Sequence, residues 1–256
     1  MIDSRAVIDP SAKLASDVVV GPWSLIGPDV EIGAGTVVGP HVVIKGPTTI
    51  GKNNRIFQFA SVGEDCQDKK YAGEPTKLVI GDNNVIREGV TIHRGTVQDA
   101  GVTQVGSDNL FMAYAHVAHD CIVGDHVIMA NNTAIAGHVH VGDWAVLGGF
   151  TAVHQFCHIG AHVMCGTSTV VLKDIPDYIM ANGNTAAPHG INVEGLRRRG
   201  FSADAIANLR RAYKIIYRKK LTIAQALVEL RELATSCPEV LSLIKSIELS
   251  NRGIIR

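Results

Sequence analysis

"VIDPSAKLASDVVVGPWSLIGPDVEIGAGTVVGPHVVI", residues 7–44, carries an aliphatic residue at every sixth position: Ile8, Leu14, Val20, Ile26, Ile32, Val38 and Ile44. A repeat of six cannot be one face of an α-helix, which returns every 3.6 residues. It is the mark of a parallel β-helix, in which short strands coil and one aliphatic side chain per strand points inward. The beat continues through Ile50, Ile56 and Val62 and returns at Ile80, Ile86 and Ile92. After a slip of one residue it runs from Val105 through Phe111, Val117 and Val123 to Val171, which makes twenty-five hexads. Each buried side chain of this size is worth roughly 1.5–3 kcal/mol, so the ladder can supply most of the stabilisation. Glycine follows the aliphatic at positions 21, 27, 33, 39, 51 and 63, which suggests backbone angles that a Cβ would forbid.

Two stretches leave the beat: "EDCQDKKYAGEPTKL" (64–78) and "HRGTVQDAGVTQ" (93–104). Long departures from a regular scaffold often carry function. The ladder ends near Asp174, and "IPDYIMANGNTAAPHGINVEG" (175–195) reads as an extended linker. Beyond it the pattern turns helical. Ser202 suits the N-cap of a helix through Lys219, Thr222 and Gln225 form a capping box, and Pro238 fits the first turn of a last helix. Arg210, Lys214 and Arg218 recur every four residues as a basic stripe. The expected division is a β-helical domain at 1–192 and a basic helical domain at 193–256.

Charge divides the same way. Residues 1–192 hold 11 Lys and Arg against 18 Asp and Glu, a net of −7, and residues 193–256 hold 13 against 6, a net of +7. A basic tail on an acidic body suggests an anionic partner for the tail. The five cysteines are odd in number and contain no C-x-x-C pair, which speaks against a disulfide framework and for a reducing compartment. The N-terminus shows no secretory pattern, and no apolar run is long enough to cross a bilayer. A cytoplasmic protein is expected, without membrane insertion and without nucleic acid.

The histidines decide the chemistry. In left-handed β-helices of the hexapeptide-repeat class three hexads make one coil, so residues 18 apart stack at the inter-strand spacing of roughly 4.8 Å. That places His119 of "HVAHDC" (116–121) beneath Gly137 and Gln155, His140 under His158, and Asp120, His138 and Phe156 in one column. His119, His138 and His154 then come from successive coils. An imidazole can take a proton at neutral pH, and a free amide one rung away can donate to a developing oxyanion. Attack of a hydroxyl on a thioester needs both. Asp120 could orient the imidazole, but neighbouring side chains diverge on a flat strand, so that pairing needs a corner. Zinc is the alternative use of such histidines, as in the trimeric β-helical carbonic anhydrases, but those chains lack a long basic helical tail. No metal is expected.

The motifs "QDKKYAGEPT", "TIHRGTVQ", "AHVAHDC", "AGHVHV", "AVHQFC", "IGAHVM" and "NVEGLRRRGFS" together resemble the UDP-N-acetylglucosamine O-acyltransferases, which open lipid A biosynthesis. The resemblance covers essentially the whole chain. It implies a homotrimer with active sites between adjacent subunits. It implies transfer of an (R)-3-hydroxyacyl group to the glucosamine 3-OH of UDP-N-acetylglucosamine. The donor would be acyl carrier protein, whose own phosphopantetheine carries the acyl group, so no cofactor of the enzyme is implied. By motif, His119 would be the general base, Asp120 its partner and the Gly137 backbone the oxyanion donor. Asp68 and Lys70 would meet the sugar nucleotide with Gln67 nearby, and His116, His138, His154 and Gln155 would line the site. Asn192, Glu194, Arg198 and Arg199 would hold the nucleotide and its diphosphate, which fixed cations suit. The basic helices would face the acidic carrier protein. Thr167 stands where some relatives carry a second glycine along the acyl groove, so a shorter acyl chain is expected.

Three alternatives remain. A related N-acyltransferase is expected to carry a distinct N-terminal domain, whereas these hexads begin at Ile8. A coenzyme-A-dependent acetyltransferase would use a small donor and has less use for the basic tail. A non-catalytic β-helical scaffold would be indifferent to loss of His119.

Overall fold

Each hexad forms one strand of two to four residues, twenty-five in all from Val7–Ile8 to Val170–Val171, in the computed structural model, which describes residues 1–256. Every strand pairs in parallel with the third one along, giving the three faces of a prism: a left-handed parallel β-helix. The first face begins at β1 (Val7–Ile8), the second at β2 (Lys13–Leu14) and the third at β3 (Val19–Val20). Uninterrupted coils keep the register of 18, as in Leu25↔Val43 and Ala134↔Ala152. The inward aliphatics are buried from Val20 to Val171, and only Ile8 and Leu14, on the first rung, are half-buried.

The corners overturn one expectation. Of the glycines that follow the aliphatic only Gly63, with φ of +77°, is left-handed; elsewhere the left-handed residue is the third one after the aliphatic: Trp23 after Val20, Asp29 after Ile26, His41 after Val38, Asp120 after Val117, His138 after Ile135. The glycines serve close approach between rungs instead. A Cβ on Gly21 would lie 2.7 Å from the carbonyl carbon of Gly39. Non-glycine residues at positive φ are individually costly, and here they recur at the same place on every rung. Several stack down the edges, as His138 does on Phe156 at 4.4 Å between ring centroids.

The two excursions leave from the same edge. The first joins β10 (Ser61–Glu64), on the first face, to β11 (Lys77–Ile80), on the second. The second joins β13 (Thr91–His93) to β14 (Val102–Val105) across that edge one rung on. The next rung crosses it at 118–121, between β16 (His116–Val117) and β17 (Ile122–Val123). Both insertions therefore hang beside the corner that carries His119 and Asp120.

The stretch expected as a linker is extended, but it pairs. β26 (Ile179–Asn182) continues the third face in parallel, and β27 (Ala187–Ile191) turns back antiparallel against it. A short helix, α1 (Val193–Arg198), follows with Asn192 as its cap, a helix the periodicity does not announce. Helices α2 (Ala203–Tyr217), α3 (Ile223–Ala234) and α4 (Glu239–Glu248) begin at Ser202, the Thr222–Gln225 capping box and Pro238. Arg210, Lys214 and Arg218 are exposed on α2. α4 closes the end of the coil: Asp177 accepts a hydrogen bond from Ser242, and its amide donates to Ser246 Oγ at 3.1 Å. No helix is long and apolar enough to cross a membrane.

Candidate active site

Asp120 occupies the left-handed corner position, with φ of +56°. That turn folds its side chain back toward the preceding residue, which a flat strand would forbid. His119 Nδ1 lies 2.8 Å from Asp120 Oδ2. The imidazole is 15% exposed and the carboxylate 1%. Burial pushes the Asp120 carboxyl up, but hydrogen bonds from His119 and Thr96 outweigh it and leave it below the ordinary carboxylate value. An ionised carboxylate only accepts, so Nδ1 carries the proton and Nε2 is left as the acceptor.

Gly137 stacks on this imidazole, as the step of 18 requires. A Cβ on Gly137 would sit 2.5 Å from His119 Cε1 and 2.6 Å from Nε2. The Gly137 amide has no acceptor within the chain. Corner residues at this position leave such an amide on many rungs. Gly137 differs in having no side chain between the amide and the imidazole.

The two residues open onto a cavity of about 640 Å³ on the first face. Its walls include Gln67, Asp68, His116, His119, Gly137 and Gln155 among the expected residues, with Lys69 and His93 in addition. Its floor is apolar: Ala134 on β19 (Ala134–Ile135) and Ala152 on β22 (Ala152–Val153) point outward where larger residues would fill the groove. Thr91 Oγ1 lies 2.6 Å from His116 Nδ1, and the His93 and His116 rings meet edge-on at 5.0 Å.

Other expected residues stand apart. Lys70 is exposed, and only its backbone amide contacts Asp68, at 2.9 Å. His138 is not on the cavity wall. It meets the His119 ring edge-on at 5.0 Å, and its Nδ1 lies 2.8 Å from Asp99 Oδ2. His154 is exposed, with Nδ1 3.1 Å from the Gln155 carbonyl oxygen. Thr167 is exposed at the edge between the third and first faces, one rung above Gly149. The Asn192 group lies on the remaining edge. Asn192 Oδ1 caps α1 at Gly195 and its Nδ2 donates to the His162 carbonyl at 3.0 Å. Arg199 lies over Trp144 at 5.1 Å, and Arg198 makes an exposed pair with Glu194 at 3.5 Å. Within one chain these cations face a different edge from His119.

Residues that counting in eighteens misses are His93, Thr96 and Asp99, all on the second excursion or its root. Thr96 donates to Asp120 from its amide at 2.8 Å and from its hydroxyl at 2.6 Å. The motif "TIHRGT" beside the histidines was the available signal.

His119, Asp120 and His138 also offer ligand atoms within 4.8 Å of one another. A metal there would have to displace the proton of His119 and compete with Thr96 for Asp120. Cys121, next to Asp120, is no nucleophile: burial pushes its thiol up to about 12, and it donates to the Ala136 carbonyl at 3.1 Å.

Burial, with His93 and His119 adding to it, brings His116 down to about 4. Burial, and then Arg199, does the same to His162, which also falls to about 4. The unfolded chain binds protons near 6.5 that these folded imidazoles refuse. Their contribution to stability is therefore complete above pH 6.5 and is lost as the pH falls toward about 4. Urea midpoints should drop across that window, and His162→Phe should make the drop shallower. A midpoint independent of pH there would contradict these assignments.

Residues 174–255 match the family model "Udp N-acetylglucosamine O-acyltransferase; Domain 2", and residues 103–137 match the bacterial transferase hexapeptide model. The acyl-[acyl-carrier-protein]–UDP-N-acetylglucosamine O-acyltransferase of Ectopseudomonas mendocina is 64% identical over 100% of this chain and 99% of its own. Among solved structures, LpxA from Acinetobacter baumannii is 56% identical with a TM-score of 0.98, covering 100% of this chain and 99% of that one. The UDP-N-acetylglucosamine O-acyltransferase of Moraxella catarrhalis is 48% identical at the same TM-score and the same coverage. The chain is therefore an acyltransferase and belongs to the UDP-N-acetylglucosamine O-acyltransferase family.

Proposed function

We propose that this enzyme moves an (R)-3-hydroxyacyl group from acyl carrier protein to the 3-OH of UDP-N-acetylglucosamine, the first step of lipid A biosynthesis, in the cytoplasm. The single observation that carries the reading is His119 Nε2 directly beneath Gly137, with Asp120 fixing the opposite nitrogen. His119 Nε2 takes the proton of the sugar hydroxyl as its oxygen attacks the thioester carbon. The carbonyl oxygen becomes an oxyanion, toward which the Gly137 amide donates. Collapse breaks the carbon–sulfur bond, and the phosphopantetheine thiolate takes the proton back from the imidazolium. Base and oxyanion donor both come from the chain, so the chemistry calls for no further cofactor.

Gln67 and Asp68 meet the sugar nucleotide from the first excursion, with Lys70 reaching in from the same loop. His116, His138, His154 and Gln155 surround the acceptor. Asn192, Glu194, Arg198 and Arg199 reach a bound nucleotide only from another subunit, because they stand on a different edge of their own chain. A homotrimer supplies that geometry, and the exposed basic stripe of α2 then faces the acidic carrier protein.

The acyl chain runs over Ala134 and Ala152 toward the edge that carries Thr167. A threonine there occupies volume that glycine leaves open, and a packed groove has little room to spare. Mass spectrometry of the product from UDP-N-acetylglucosamine and a series of 3-hydroxyacyl carrier proteins reads acceptor, linkage and length together. An ester-linked product is expected, and Thr167→Gly should lengthen the longest chain accepted. Acetyl transfer from coenzyme A in preference to the carrier protein would sink the reading. An unchanged length limit would remove Thr167 as the ruler.

A further inference from the structure

Thr96 holds both oxygens of the Asp120 carboxylate, its amide on Oδ1 and its hydroxyl on Oδ2. Oδ2 is the oxygen that His119 Nδ1 also meets. Thr96 is buried and lies off the cavity wall. The loop comes this close because residue 95 is glycine. A Cβ there would stand 2.8 Å from Asp120 Oδ1 and 2.3 Å from the Val102 amide nitrogen. The loop is anchored at its root by buried Arg94. That guanidinium donates to the Gly63 carbonyl at 2.5 Å, to the Tyr71 hydroxyl at 3.1 Å and to the Asp65 carboxylate.

We propose that Thr96 is a positioning residue, which acts through Asp120 to keep the His119 imidazole in one plane and one tautomer. The proposal rests on His119 being the general base. A carboxylate held by one hydrogen bond is free to turn about its own bond. Three donors from two segments of chain remove that freedom. Without the Thr96 hydroxyl only His119 itself holds Oδ2, and the carboxylate can pivot about its remaining bond to the Thr96 amide and carry Oδ2 away from Nδ1. The imidazole then spends time with its proton on Nε2, where it can accept nothing from the substrate. The second excursion is on this view a buttress for the dyad, placed by its insertion at the same edge one rung earlier.

The test is a set of variants of the full-length enzyme. Thr96→Val should lower kcat by about tenfold to a hundredfold, the scale expected when a reacting group is displaced. KM for the sugar nucleotide should change less than about threefold, since Thr96 does not line the cavity. Thr96→Ser keeps both donors and should restore kcat. Thr96→Val placed in an Asp120→Asn background should add no further loss, because its effect runs through that carboxylate. Should Thr96→Val fold poorly, Thr96→Ala serves in its place, with melting temperatures followed throughout. Full turnover by Thr96→Val beside an inactive His119→Ala overturns the proposal alone. So does an equal loss with Thr96→Ser, or a loss as large in the Asp120→Asn background as in the wild type. Turnover retained by His119→Ala instead sinks the general-base reading itself and takes this proposal with it.

Discussion

His119→Ala is expected to lower kcat by at least about 10²-fold, and up to about 10⁴, while leaving the fold intact. The magnitude follows from removing the only acceptor nitrogen placed against the Gly137 amide. The remaining histidines cannot take its place. Burial lowers both His93 and His116, with His116 Nδ1 against Thr91, and His138 stands off the cavity wall. Stability should change little, because the ring lines an open cavity and does not belong to the aliphatic column. The loss of a partner for buried Asp120 is offset in part by the two donors from Thr96. Since proton removal is needed in the transition state and not for binding, KM should move far less than kcat. Steady-state kinetics with acyl carrier protein as donor, beside thermal melts, measure both. A variant that keeps turnover within about tenfold of the parent would return the function to a scaffold or to another base.

The β-helix was legible because its energetics are written at one position in six. An inward residue must be apolar on every rung, so Ile135 or Leu147 can be placed by counting alone. The same count put His119 under Gly137 and Asp120 in the column of His138 and Phe156. Counting fails where rungs differ in length. The first excursion makes the pairing step 30, as in Ser61↔Thr91, and the second makes it 25, as in Thr91↔His116. Thr96 and Asp99 lie inside that second gap, so nothing in the periodicity connects them with Asp120 or His138. At the far end the step shrinks to 16, Met164↔Met180, and the hairpin at 179–191 loses its beat and reads as linker. The role of most glycines after the aliphatics is hidden for a different reason. Their neighbours in space are backbone atoms of the next rung, which a one-dimensional pattern does not display. Function was more visible than local conformation. The corner geometry that pairs His119 with Asp120 was recognised as necessary, but which residue adopts the left-handed angle was not.

Gly137→Ala should disable the enzyme while adding only a methyl group and removing no functional one. The new Cβ would fall 2.5 Å from His119 Cε1 and 2.6 Å from Nε2, closer than real Cβ contacts come, and a tight 3.1 Å from Nδ1. The backbone at 137 belongs to a coil paired above and below, so the imidazole must yield. It can do so only by leaving its hydrogen bond to Asp120 or by swinging into the cavity, and either movement takes Nε2 from the reacting hydroxyl. A displacement on this scale should cost about 10²-fold in kcat. The amide at 137 is still present in the variant, so the loss reports the position of the base and not the absence of the oxyanion donor. Stability should be nearly unchanged, since a ring at the cavity wall can move without opening the core. Gly27→Ala, several rungs from the site, is the control: its Cβ would come no closer than 3.3 Å, to the Ile44 carbonyl oxygen, and turnover should persist. Gly137→Ala with kcat within about threefold of the parent would mean that imidazole and amide do not act on the same reacting centre. The pairing of base and donor across one rung would then be an accident of the coil, and a different amide would have to be sought for the oxyanion.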